Sequence, residues 1–244
     1  GVAFSDLHLG NPAGFTEKNF VTVKSFEVRV KLLPLLSKDV QIKRFVLNEP
    51  QIVLVKNKKG LENWAQPKPA GKDAAEEKAP STESVPGGLG IPISALTAEN
   101  IAINDGSALW IDHTTDTRKE ITDIGLILKD VSLNRPVKLT FSAQLDQKPL
   151  SLEGTVGPVG TGLKEGKIAL DLSIKALKQL ALRLKGNLEN IVTNPGVDMD
   201  IELAEFSPRM LMSELRQAFR VAEAVPEAIS RLALKAHIKA GAKK

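Results

Sequence analysis

The densest group of potential ligands in this 244-residue chain is Asp112-His113-Thr114-Thr115-Asp116, where two carboxylates flank an imidazole. Such a set would suit a divalent cation held by oxygen and nitrogen. The segment aligns with Lys56-Asn57-Lys58-Lys59-Gly60, however, and that partner reads as a turn, so a solvated turn is the expectation and no metal site is assigned. His8 and His237 are far from His113 in sequence. Gly87-Gly88-Leu89-Gly90 lacks the following Lys-Ser/Thr and helix that a phosphate-cradling loop needs. Neither a Gly-x-Ser-x-Gly elbow nor a paired-His motif is present, and the absence of cysteine removes thiolate catalysis and Cys-type zinc together. The expectation is a protein that is not an enzyme and carries no cofactor.

Composition narrows the partners. A formal charge of +4 is mild for this size, and the basic residues are spread along the chain. With no tyrosine, two tryptophans and eight phenylalanines there is little to stack on single-stranded bases, so nucleic acid is not expected. The apolar share of 42% suffices for a core in one large or two small domains. Charges interrupt every apolar stretch before the about 18 residues a transmembrane helix needs. The opening Gly1-Val2-Ala3-Phe4 has neither an initiator methionine nor a leader, which suggests a natural start further upstream.

The elements that would position any site are strands. Val21, Val23, Phe26, Val28 and Val30 alternate with polar residues, and the phase slip at Ser25-Phe26 suggests a bulge. Residues 40–47 and 51–56 alternate on either side of Asn48-Glu49-Pro50 and read as a hairpin, followed by a turn at 56–60 in which Gly60 can take a positive φ. Residues 98–116 repeat 42–60 at a constant offset of 56, which reads as the same hairpin used twice. A third echo at 130–141 again places Asn-x-Pro between alternating runs, so the sheet is expected to grow by addition of such units. Residues 66–92, rich in Pro, Ala, Lys, Glu, Ser and Gly, read as a mobile linker or long loop. Further on, Leu170, Leu172 and Ile174 oppose Asp171, Ser173 and Lys175, a sheet wet on one side. One helix is expected over about 207–225, with Ser207 as N-cap, Pro208 in the first turn, and Leu211, Leu215, Ala218, Ala222 and Val225 on one face. A closing strand follows at 229–240. Trp64 is expected as a core anchor in preference to an exposed interface residue, whereas the position of Trp110 between Leu109 and Ile111 leaves its role open.

Residues 5–65 resemble the N-terminal region of the AsmA family of Gram-negative envelope proteins. The likeness rests on Asn11-Pro12-Ala13-Gly14-Phe15, the apolar knot at 32–37 ("LLPLLS"), Pro50, and Gly60-Leu61-Glu62-Asn63-Trp64, in that order and spacing. The "INDGSALWIDH" run at 103–113 is similar to the family's second block, and "FSPRMLMSEL" at 206–215 to a helical element near the domain's end. The resemblance implies a periplasmic domain tethered to the inner membrane by an N-terminal helix missing here. It also implies kinship with bridge-type lipid-transfer proteins, and a role in lipid transfer or outer-membrane assembly.

The expected fold is therefore mainly β: an extended, curled antiparallel sheet forming a trough, with one amphipathic helix near the C-terminus. Residues 1–65 form the first strands and hairpin, 66–92 the linker, and 93–240 the continuation of one domain. If the trough binds phospholipid, the lining candidates are Val28, Val30, Ile42, Leu47, Val53, Val55, Ile101, Ile103, Leu170, Leu172 and Ile174. The same side chains could instead pack on one another or on the helix as an ordinary core. In that case the domain would serve as an assembly platform for other envelope proteins without lipid. About a dozen strands would give a trough on the order of 55 Å long, a segment of a path across the periplasm and not the whole of it.

Overall fold

The computed structural model describes residues 1–35, 41–65, 97–160, 166–191, 194–219 and 230–241. The alternating runs become strands of one sheet: β1 (Val2–Gly10), β2 (Asn19–Val30), β3 (Gln41–Lys56), β4 (Thr97–Asp112), β5 (Thr117–Ser132), β6 (Val137–Leu145), β7 (Lys148–Gly157), β8 (Lys167–Ala176), β9 (Leu180–Glu189), β10 (Gly196–Phe206) and β11 (Leu232–Gly241). Spatial order follows chain order from β1 to β11, and the two ends do not pair, so the sheet is open. Ten inter-strand spacings make it about 48 Å long across the strands. Among the described residues there are also two short helices, α1 (Leu32–Leu35) and α2 (Pro208–Phe219).

The hairpin expected at Asn48-Glu49-Pro50 is not there. Residues 41–56 form one 16-residue strand, paired to β2 on both sides of the break through Val23↔Pro50 and Ser25↔Asn48. A single residue in the left-handed region, Glu49 at φ 47, bends the strand without reversing it. The second copy behaves alike, with Asp105 at φ 51 inside a continuous β4. The offset of 56 therefore has a different meaning from hairpin addition. It is the register of a parallel pair, in which Ile42 faces Ala98, Leu47 faces Ile103 and Val55 faces Ile111. A parallel neighbour requires the chain to return to the same end of the sheet, which takes a connection of about a dozen residues or more. The interval 57–96 supplies it, and the expected linker at 66–92 lies outside the described residues.

Every other pairing is antiparallel. The third echo does contain a turn, at 133–136 between β5 and β6, where the Asn134 amide donates to Ser132 Oγ at 3.2 Å. No register shift occurs at Ser25-Phe26; the irregularities lie at Leu9/Gly10 and Arg29/Val30. Asp6, Glu49, Asp105 and Asp123, with φ between 47 and 55, form a line of left-handed residues at neighbouring levels of β1, β3, β4 and β5. Aspartate tolerates that conformation better than most residues, which covers three of the four, and each such residue sharpens the local twist.

The helix starts as the cap chemistry requires: the amides of Met210 and Leu211 donate to Ser207 Oγ and to its carbonyl, at 3.4 and 3.0 Å. It is described to Phe219, and the positions of Ala222 and Val225 lie outside the described residues. Trp64 is 40% exposed and so is not the expected core anchor; Trp110 is 38% exposed. Leu32 and Leu33 of the apolar knot stand out in solvent at 76% and 81%.

Candidate functional site

The register places one apolar residue per strand in a single row across all eleven strands. It runs Phe4, Phe26, Leu47, Ile103, Leu126, then Phe141, Leu152, Ile174, Leu182, Leu203, Leu234. Directly opposed residues of neighbouring strands share a face. A second row lies two residues along each strand: Val2, Val28, Phe45, Ile101, Leu128, then Leu139, Gly154, Leu172, Leu184, Ile201, Ala236. Over β6–β11 a third row adds Val137, Val156, Leu170, Gly186, Met199 and Ile238. Phe26 ties the rows at the β1 end, stacking on Phe4 with centroids 6.2 Å apart and meeting Phe45 edge-on at 5.0 Å.

The opposite face is polar. Its row through the same strands reads Ala3, Glu27, Val46, Ala102, Ile127, Thr140, then Glu153, Ser173, Arg183, Glu202, Lys235. Four apolar residues interrupt it, one on β1 and three on β3–β5. Elsewhere on that face Asn104 donates to Asn48 Oδ1 at 2.7 Å and Asn48 to Ser25 Oγ at 2.9 Å. The sheet is thus two-faced along its whole length.

No second layer covers the apolar face among the described residues. Every strand pairs side by side with its neighbours, and no strand packs extensively on α2. Most residues of the apolar rows are half-buried by their own neighbours; only Val46 and Val55 are fully shielded among the described apolar side chains. A filled globular core would bury many more.

Of the residues singled out from the sequence, Val28, Leu47, Ile101, Ile103, Leu170, Leu172 and Ile174 lie in these rows. Val30 and Ile42 face each other where the register shifts. Val53 and Val55 lie beyond the bend at Glu49, and Val55, at 0% exposure, is sealed from any ligand. Phe26, Leu126, Phe141, Leu152, Leu182 and Leu203 were not singled out. Each sits at an alternating position of its strand, but only the register shows that they align.

Glycines set the closest strand approaches within the apolar rows. A Cβ on Gly154, at φ 152, would stand 2.0 Å from the Asp171 carbonyl oxygen, and one on Gly186 would stand 2.1 Å from that of Asp198. Neither position admits a side chain without moving the neighbouring backbone.

The two signature motifs meet at one rim of the sheet. Asn63 is buried and donates to Asn11 Oδ1 at 2.6 Å and to the Val53 carbonyl at 2.7 Å, while its Oδ1 accepts from the Val55 amide at 2.8 Å. Asn11 in turn donates to the Glu17 and Asn19 carbonyls at 2.7 and 3.1 Å. Asn57 closes its own turn by accepting from the amides of Lys59 and Leu61, and reaches across to the Gly14 carbonyl at 3.2 Å. The motif residues therefore fasten the loops 11–18 and 57–65 to each other and to β3.

The ligand-like cluster at Asp112-His113-Asp116 does not converge. Asp112 accepts from the Thr114 hydroxyl and amide, and the Thr114 hydroxyl leads the effects that hold its carboxyl below the usual range. His113 Nε2 turns to Glu17 at 3.0 Å. Burial pushes the Glu17 carboxyl up, but hydrogen bonds from His113, its own backbone and Thr16 outweigh that and hold it low. Asp116 sits in the turn with φ 54. No set of three potential metal ligands comes together among the described residues.

No curated protein and no solved structure matches the chain significantly. A family model described as the AsmA family matches residues 1–187, which takes in β1–β8 and most of β9. That family is associated with the cell envelope. By a match over well more than half its length, carried by a region in which both signature motifs fasten the same rim, this chain belongs to the AsmA family.

Proposed function

We propose that this protein binds phospholipid by its acyl chains along the apolar face of the sheet and passes it along that face, without chemistry. It would work in the periplasm at the inner membrane, in support of outer-membrane lipid homeostasis or assembly. The observation that carries this reading is the unbroken apolar row across eleven strands on a face that no second layer covers among the described residues. An acyl chain gains about 0.8 kcal/mol for each methylene fully removed from water. A chain of about fifteen methylenes held half-buried in an open trough would gain roughly 6 kcal/mol, enough to hold a tail and little enough to let it slide.

The supporting experiment is native mass spectrometry of the protein purified in mild detergent. Phospholipid adducts are expected on the natural sequence and their loss on Leu126→Asp/Leu152→Asp, with circular dichroism showing the sheet retained. A clean unliganded mass for the natural sequence would count against the reading.

One observation favours a second reading, an assembly platform. Edge strand β1 is exposed along its whole length and has no lysine, whereas the opposite edge carries Lys235 and Lys239. An edge with no lysine, and with Asp6 as its one acidic side chain, can accept a partner's strand. Photo-cross-linking from Ser5 in cells should then capture an envelope protein, and its failure to capture one would remove this alternative.

A further inference from the structure

The rim that the signature motifs build also carries a concentration of positive charge beside an apolar wall. Loops 11–18 and 57–61 and the turn after β4 enclose a cleft of about 260 Å³, with Lys58 and Lys59 on its edge, Leu61 at 60% exposure and His113 opposite. A second hollow of about 460 Å³ shares Glu17 as a common wall. It holds Lys18 and Arg118, and its apolar side is made by Phe20, Val53, Leu109 and Ile111.

Charge distinguishes this place from the other hollows of the sheet. Lys18, Lys58, Lys59 and Arg118 face a single lining carboxylate, Glu17, which is already occupied by His113 and Thr16, so the lysines, the arginine and this carboxylate together leave three positive charges. None of the four cations forms an ion pair among the described residues. The hollow beside Lys24 is lined by Asp6 and Glu49, and that beside Ile103 by Asp105 and Asp123, so both are net acidic. The hollow at the β9–β11 end has no charged lining at all. Among these hollows of the described residues, a cationic rim and an apolar wall adjoin only here.

We propose that this rim cleft is a head-group site. It takes a phosphate-bearing, net anionic head at Lys58, Lys59, Lys18 and Arg118, while the attached tail lies on Phe20, Val53, Leu109 and Ile111. The site rests on the lipid reading above and names the class of lipid that the trough admits. Charge-assisted hydrogen bonds from lysine and arginine to phosphate are roughly twice as strong as neutral ones, and the flanking apolar wall is what separates an amphiphile from a free anion. The hydrogen bonds of Asn57 and Asn63 hold the lysine-bearing turn in place beforehand, which lowers the ordering cost of binding.

The test uses the full chain and amide shifts of residues 57–61 and of His113, read by NMR. Three probes are added separately: dihexanoyl phosphatidylglycerol below its micelle concentration, dihexanoyl phosphatidylcholine, and inorganic phosphate. The anionic lipid should bind about tenfold tighter than either of the others, and Lys58→Glu/Lys59→Glu, in an exposed turn, should abolish that preference. An equal response to inorganic phosphate would make this a plain anion site, and an equal response to the choline lipid would remove head recognition; either overturns the proposal, as do silent amides. Silent amides together with lipid adducts in the mass spectrum would dismiss this site and leave the trough reading standing. Shifted amides without adducts would do the reverse.

Discussion

At the residue scale, small side chains do as much as large ones. Gly154 and Gly186 sit inside the apolar rows at points where a neighbouring strand's carbonyl oxygen occupies the space of a Cβ. Gly186→Ala should therefore destabilise the protein by about 1–3 kcal/mol, read from the urea midpoint, because the backbone of β10 must move. Gly125→Ala is the comparison: its Cβ would meet only Ser142 Oγ at 2.8 Å, a side-chain end that can rotate away, so the midpoint should barely change. Equal effects at the two positions would contradict the close-approach account. The sequence marks these glycines as interruptions of an alternating pattern, but not what they approach, since that depends on the partner strand. The same holds for Asn63. Its place in a recognisable motif was legible, whereas its hydrogen bond to Asn11, 52 residues away, was not.

At the element scale, the alternation identified most strands, and the cap at Ser207 identified the start of the helix. The failure at Asn48-Glu49-Pro50 has a physical cause. Asn and Pro are good turn formers, but β2 pairs on both sides of them, and twelve consecutive strand residues in β2 outweigh a local preference for reversal. The repeat was visible; its parallel pairing was not, because an offset between similar segments does not say which way they lie together. The last strand makes a pH prediction. Hydrogen bonds from Lys239 and Lys235 are the main effects holding Asp198 and Glu202 below their ordinary values of 3.8 and 4.5. A carboxyl with a depressed native pKa contributes stability that is present above its ordinary value and lost as pH falls from there through the lowered native value. Protection of β11 amides against hydrogen exchange, corrected for the intrinsic rate, should thus fall between about pH 5 and pH 3 while β6 and β7 hold, and added salt should shrink the difference. Uniform protection across the sheet at pH 3 would contradict it. These pairs are exposed, so the change should be local fraying and not global unfolding.

At the scale of the whole molecule, the two-faced character of one long open sheet dominates. Alternation in any one strand is compatible with an ordinary core, and the sequence left that choice open. Register decides that the apolar residues of eleven strands share a face, and the absence of a covering layer among the described residues leaves that face available. The central claim is that lipid tails lie on that face and not on the other. Phe141 and Thr140 are adjacent in β6 but point to opposite faces, in rows with Leu152 and Glu153 respectively. Replacing each in turn with the photoreactive p-benzoylphenylalanine, irradiating in cells and reading the cross-linked mass is the most direct measurement. The expected result is a phospholipid adduct at position 141 and none at position 140; adducts at both positions alike, or at neither, would contradict the account.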